Sequence, residues 1–176
     1  MNLPFAQVEP TTRCNFTCGF SAGRHMEQRD LALESFRSFV EQTEGLEHLE
    51  LQGEGEPLLH PQFFEMIALA RAKFPKLQVS LISNGSLFTA ANIDGLLAHR
   101  VTRIFVSMES ADDATFQRVR GGKLDRVRRG IRDLLAERNA RGMDIPVVGL
   151  AVTVLKTTVH ESTRRISDFY RELQLD

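Results

Sequence analysis

Cys14 and Cys18 are the only cysteines in the chain. They lie in the stretch Thr12-Arg13-Cys14-Asn15-Phe16-Thr17-Cys18-Gly19-Phe20-Ser21. Thiolates are soft ligands for zinc and for iron–sulfur clusters, so a close pair reads first as metal or redox chemistry. Two thiols cannot build a disulfide framework. The spacing leaves three readings open. It is half of a metal site, a metal site with one ligand replaced at Ser21, or two thiols with no shared task.

Other segments hold residues out of keeping with simple loops. They are Gln52-Gly53-Glu54-Gly55-Glu56-Pro57, Ser83-Asn84-Gly85, Ser107-Met108-Glu109-Ser110, and Lys156 with His160. Each has a plain explanation. Gly53 and Gly55 allow a tight turn. Ser-Asn-Gly is a common turn sequence. Ser107 and Glu109 suit a solvated strand end, and His160 with Glu161 suits a helix start. His25, His48, His60 and His99 show no ligand spacing. Arg126, Arg128, Arg129 and Arg132 suit the wet face of a helix. What discriminates is the order of these segments along the chain.

That order follows from the elements that carry them. Apolar runs or period-two alternation predict strands over Phe5–Val8, Leu46–Leu51, Leu77–Ile82, Val101–Val106 and Pro146–Leu155. The last is β-branched and nearly all apolar, as expected of a strand buried on both faces. Helices are predicted over Leu33–Gln42, from Pro61 to Phe74, over Thr89–His99 with Thr89 as N-cap, over Lys123–Arg141 and over Glu161–Leu173. The alternation implies a parallel sheet with outer helices and right-handed crossovers. A closed eightfold barrel takes about 250 residues, so five units make an open, partial (β/α) barrel. All the unusual segments then follow strand C-terminal ends, where such folds collect their chemistry.

With 176 residues, the chain is expected to be one domain, spanning 1–176. Its net charge of -1 gives no signal for nucleic acid or an anionic membrane surface. No apolar run approaches the roughly 18 residues of a spanning helix. The N-terminus lacks the basic-then-apolar order of a secretory signal. These features predict a cytoplasmic protein.

The chain resembles the radical S-adenosylmethionine (radical SAM) enzymes. Their C-x3-C-x2-C loop is matched by Cys14 and Cys18, with Phe20 at the aromatic position and Ser21 where the third cysteine belongs. "GEGEPLLHP", from Gly53 to Pro61, is similar to their "GGEP" loop. "LISNGSLF" and "FVSMESADDATFQRVRGG" are similar to their third- and fourth-strand segments. The match runs from about Val8 to about Glu161.

The resemblance implies an enzyme with a 4Fe–4S cluster and S-adenosylmethionine. Three thiolates leave one iron open to the cofactor, and reductive cleavage yields a 5′-deoxyadenosyl radical that abstracts hydrogen from substrate. It implies Cys14 and Cys18 as ligands, with Ser21 at the third position. The backbone around Phe20 is implied at the adenine, and Gly55 and Glu56 at the methionine amino group. Ser83 and Asn84 are implied on the cofactor wall, Ser107 and Glu109 near the ribose or methionine end. The implied partners are an electron donor and a substrate of peptide or protein type.

Two departures stand out. An alcohol is far harder to deprotonate than a thiol, and its oxygen suits iron–sulfur clusters less well. The expectation at Ser21 is therefore a labile, absent or oxygen-ligated cluster, from an engineered or a natural replacement. The second departure is length. One unit of the usual core is missing, so a truncated chain or a partner-covered edge after the fifth strand is expected. Beside the enzyme stands a degenerate member that binds an adenosyl ligand or a protein without chemistry. A site for another metal, completed by His25 or an acidic residue, leaves the glycine–glutamate loop unexplained.

Overall fold

The computed structural model describes residues 2–176, and their side chains except those of residues 23, 24 and 160–162. His160 and Glu161, singled out above, therefore fall outside the described side chains. Five strands form one parallel sheet in the order β1-β2-β3-β4-β5. They are β1 (Phe5–Val8), β2 (His48–Leu51), β3 (Gln78–Ser83), β4 (Arg103–Ser107) and β5 (Val147–Ala151). The helices are α1 (Leu33–Gln42), α2 (Phe63–Lys73), α3 (Ala90–Ala98), α4 (Asp113–Arg120), α5 (Leu124–Ala140) and α6 (Val159–Glu172). This is the open α/β sheet expected from the alternation.

Register explains the core. One row across the sheet pairs Val8 with Leu51, Leu51 with Leu81, Leu81 with Ile104, and Ile104 with Val148. The last four are fully buried against the helices. Each such side chain contributes about 1.5–3 kcal/mol by leaving water. Residues one position away point to the concave face, where Glu50, Ser80 and Phe105 are only half-buried. The sheet is therefore apolar outside and part-open inside.

Two expectations need correction. β5 is not buried on both faces. It is one of the two edge strands, and Val147 with the following Val152 and Val154 are exposed. Apolar composition cannot report whether a strand has a second neighbour. The outer N–H of its Val148 donates to Asp176 Oδ2 (3.0 Å), and Asp176 N–H donates to Val148 O (3.3 Å). Second, helix α4 lies between β4 and α5, where no helix was expected. Asp112 caps it, accepting from Thr115 N–H at 3.0 Å, and Gly121 ends it in the left-handed conformation at φ 71°. Among the described residues no helix is long and apolar enough to cross a membrane.

Candidate functional site

The cysteine loop lies between β1 and α1, yet its support comes from α4. Thr17 N–H donates to Arg120 O (3.1 Å) and Gly19 N–H to Val119 O (3.0 Å). These bonds satisfy carbonyls that a helix C-terminus leaves without partners. Close approach requires the two glycines after α4. A side chain at Gly121 would meet Thr17 Oγ1 at 2.1 Å, and one at Gly122 would meet the Phe16 ring at 2.2 Å. The near end of the loop is tied down by Arg13, which donates to Asp30 (3.0 and 2.8 Å) and to Leu59 O (2.8 Å).

Cys14 is exposed and Cys18 buried. Cys14 Sγ accepts from Phe16 N–H (3.5 Å) and Asn84 Nδ2 (3.9 Å). Burial pushes both thiols above the usual cysteine value. The Phe16 and Asn84 donors oppose the shift at Cys14, and the Arg120 guanidinium opposes it at Cys18. Ser21 Oγ donates to Glu54 Oε2 at 2.5 Å.

The β2–α2 loop is held through two carboxylates. Glu9, at the end of β1, accepts from Glu54 N–H at 2.6 Å and Gly55 N–H at 3.4 Å. Gly55 packs so tightly that a Cβ would stand 2.0 Å from Thr11 O. Glu56 is buried, with both oxygens engaged. Oε1 accepts from Ser83 Oγ (2.8 Å) and Leu58 N–H (3.3 Å), and Oε2 accepts from Asn84 N–H (2.7 Å). Burial raises its pKa to about 6 against the pull of these donors. Asn84 then bridges to the cysteine loop, donating to Asn15 Oδ1 at 2.8 Å.

These segments converge on a cavity of about 500 Å3 at the C-terminal rim of the sheet. Its wall includes the expected residues Cys14, Cys18, Phe20 and Ser21. It also includes Gly55, Glu56, Ser83, Asn84 and Ser107. Glu109 lies one step behind the wall. Its carboxylate takes two hydrogen bonds from the Arg120 guanidinium, from Nε and from Nη2, the latter at 2.7 Å. Lys156 is exposed and outside the cavity lining.

Arg120 is a charged wall residue outside the expected set. It is 8% exposed and donates from Nη1 toward Cys18 Sγ at 3.8 Å, and its guanidinium lies 5.7 Å from the Phe20 ring centre. Burial works against its charge, but the bonds and attraction of Glu109 win and raise its pKa. A signal existed: an arginine directly before Gly121-Gly122, at a helix end facing the rim.

A family model for the radical SAM superfamily matches residues 8–161. The chain belongs to the radical SAM superfamily. That family consists of enzymes that use a 4Fe–4S cluster and S-adenosylmethionine. The chain is 27% identical over 160 residues to the tungsten-containing aldehyde ferredoxin oxidoreductase cofactor-modifying protein of Pyrococcus furiosus, covering 88% of this chain and 44% of that one. It is 30% identical over 163 residues to the AdoMet-dependent heme synthase of Methanosarcina barkeri, covering 89% and 44%. The chain thus spans less than half the length of these relatives. Its fold is similar to SuiB of Streptococcus suis. The TM-score is 0.71 against the form bound to S-adenosylmethionine (covering 98% and 37%) and 0.75 against the form bound to precursor peptide SuiA (98% and 38%), both at 16% identity.

The radical SAM cavity suits one family cofactor better than the other. S-adenosylmethionine offers a purine, a ribose, an ammonium, a carboxylate and a sulfonium. The wall offers an aromatic ring, hydroxyls, carboxylates and a guanidinium, in a volume ordinary for a small-molecule site. The cluster does not fit the donor set. Only two thiols face the cavity, and the third position carries a hydroxyl already donating to a carboxylate. Among the described residues no three His, Cys, Asp or Glu side chains are grouped to hold an ion.

Proposed function

We propose that this chain is the core of a radical SAM enzyme. It binds S-adenosylmethionine in the rim cavity; were the thiolate at position 21 restored, Cys14, Cys18 and that thiolate would hold a cluster that supplies a 5′-deoxyadenosyl radical for hydrogen abstraction from a peptide or protein. The observation that carries the reading is the convergence of the cysteine loop, residues 52–56, Ser83-Asn84 and Ser107 on one cavity. In this reading Glu56, already oriented by three donors, accepts from the methionine ammonium, and Gly55 lets the backbone come close. Ser83 and Asn84 form the adjoining wall. The backbone at Phe20 meets the adenine. Ser107 meets the ribose or the methionine end, with Glu109 acting there through Arg120.

A peptide or protein substrate is supported by the SuiB complex with its precursor peptide. The setting is the cytoplasm, where thiols stay reduced, and an electron donor is the required partner. The net charge of -1 gives no signal for nucleic acid or an anionic membrane surface. The test is the Ser21→Cys chain, loaded with iron and sulfide without oxygen. It should hold a cluster and form 5′-deoxyadenosine only with a reductant. A restored chain that binds S-adenosylmethionine but never retains iron and sulfide would sink the enzyme reading.

A further inference from the structure

We infer that the concave face of the sheet selects the substrate: Glu50, one pleat below the rim cavity, receives the ammonium of a lysine on the peptide, whose stem lies along Ile82 and Phe105. The inference rests on the proposed function, whose substrate class it narrows.

It starts from the register of the sheet. Gln7, Glu50, Ser80, Arg103 and Val147 form one row across the five strands. Leu49 and Leu51, on either side of Glu50, are fully buried against the helices, so Glu50 points to the opposite, concave face. The next row toward the rim pairs Ile82 with Phe105 and Phe105 with Gly149. A side chain at Gly149 would stand 3.2 Å from the Phe105 ring, so the glycine gives that ring its place on the face. Ile82 and Gln52 already line the cavity. The cavity floor therefore continues down the sheet, first over apolar side chains and then onto a carboxylate.

Glu50 is held as a receptor. Gln52 Nε2 donates to its Oε1 at 2.8 Å, and Ser80 Oγ donates to its Oε2 at 3.3 Å. Both donors are neutral, and among the described residues Glu50 forms no ion pair. The other charge on its row, Arg103, is exposed and two strands away. Two strand spacings are about 9.6 Å, beyond the Debye length of about 8 Å at physiological salt. A half-buried carboxylate oriented by neutral donors is matched by a cation, and charge-assisted bonds are the strong ones. Depth then selects the side chain. The level of Glu50 lies two residues of strand, about 6.6 Å, below that of Gln52 and Ile82. The apolar stem of a lysine covers about that distance, packs on Ile82 and Phe105, and brings its ammonium to Glu50.

The experiment is an NMR titration of the full chain with an acetylated and amidated pentapeptide that carries lysine between two pairs of glycines. Its counterpart with norleucine keeps the stem and lacks the charge. The lysine peptide should bind roughly tenfold more tightly and shift the backbone signals of Ser80 and Phe105. Glu50→Gln, which keeps the shape of the side chain, should abolish the preference and leave norleucine binding unchanged. Glu50→Lys should turn the preference toward a peptide with glutamate in the same place. Equal binding of the lysine and norleucine peptides, no binding of either, or a preference that survives Glu50→Gln overturns the inference. The proposed function stands through that result if the loaded Ser21→Cys chain still forms 5′-deoxyadenosine. A lysine preference in a Ser21→Cys chain that never retains iron and sulfide sinks the enzyme reading and leaves the lysine site.

Discussion

The β2–α2 loop and the cysteine loop line the same cavity, but they are held in opposite ways. The β2–α2 loop is fixed from within the sheet. Glu56 gathers Ser83 Oγ and two backbone N–H groups, and Glu9 gathers two more. The cysteine loop borrows its support from α4, about a hundred residues further along the chain. The contrast teaches where each half of the site is vulnerable. Changes on α4 should loosen the thiols and spare Glu56, and changes at Glu56 should do the reverse.

The hardest test of that contrast is Arg120→Met. It leaves Glu109, 1% exposed, with no guanidinium beside it. Removing one partner of a buried ion pair costs about 3–5 kcal/mol. Denaturant unfolding should show that loss, and Cys18 should react faster with an alkylating agent. Adding Glu109→Leu should recover most of the stability, because the orphaned charge is then gone as well. If Arg120→Met leaves both stability and Cys18 reactivity unchanged, the Arg120 guanidinium does not help α4 to hold the loop.

A smaller effect is expected at Glu56 and depends on pH. Its folded pKa of about 6 lies above the ordinary 4.5. The folded state therefore binds the proton more readily than the unfolded chain does. The stabilisation is fully present below about pH 4.5 and is lost as pH rises through 6. The span is worth about 2 kcal/mol. Unfolding measured from pH 4.5 to 7 should show this slope in the chain as it stands and lose it in Glu56→Gln. Parallel curves for the two proteins would mean that Glu56 does not titrate in this window.

The same contrast explains what could be read from sequence. β1 and α1 have the expected bounds because periodicity directly reports which side chains leave water. Gly55, Glu56, Ser83 and Asn84 were legible because a parallel sheet puts such loops on one rim. Arg120 was not, because its role depends on Glu109 and Cys18 meeting through tertiary folding. Helix α4 was not expected because its eight residues carry only Phe116 and Val119 as large apolar side chains, too few to show a period. β5 was misjudged because its valines suit a central strand and an edge strand alike. Ser21 was visible at the position where the resemblance places a third ligand. Its bond to Glu54 spans 33 positions and emerges only when the two loops meet.

The gentlest probe of the contrast is the bridge between the loops. Asn15 lies in the cysteine loop. It accepts from Asn84 Nδ2 at 2.8 Å, and its own Nδ2 donates to Ser86 Oγ at 2.8 Å. Asn84 is held on its other side, where its N–H donates to Glu56. Asn15→Ala removes the bridge and leaves both supports in place. The expected loss is about 1 kcal/mol, the usual net worth of such hydrogen bonds. Cys14, one residue away, should become more reactive to alkylation while Cys18, held by α4, keeps its rate. The pH slope assigned to Glu56 should persist, because its three donors are untouched. Equal acceleration of the two thiols would mean that the bridge, and not α4, sets the conformation of the whole loop.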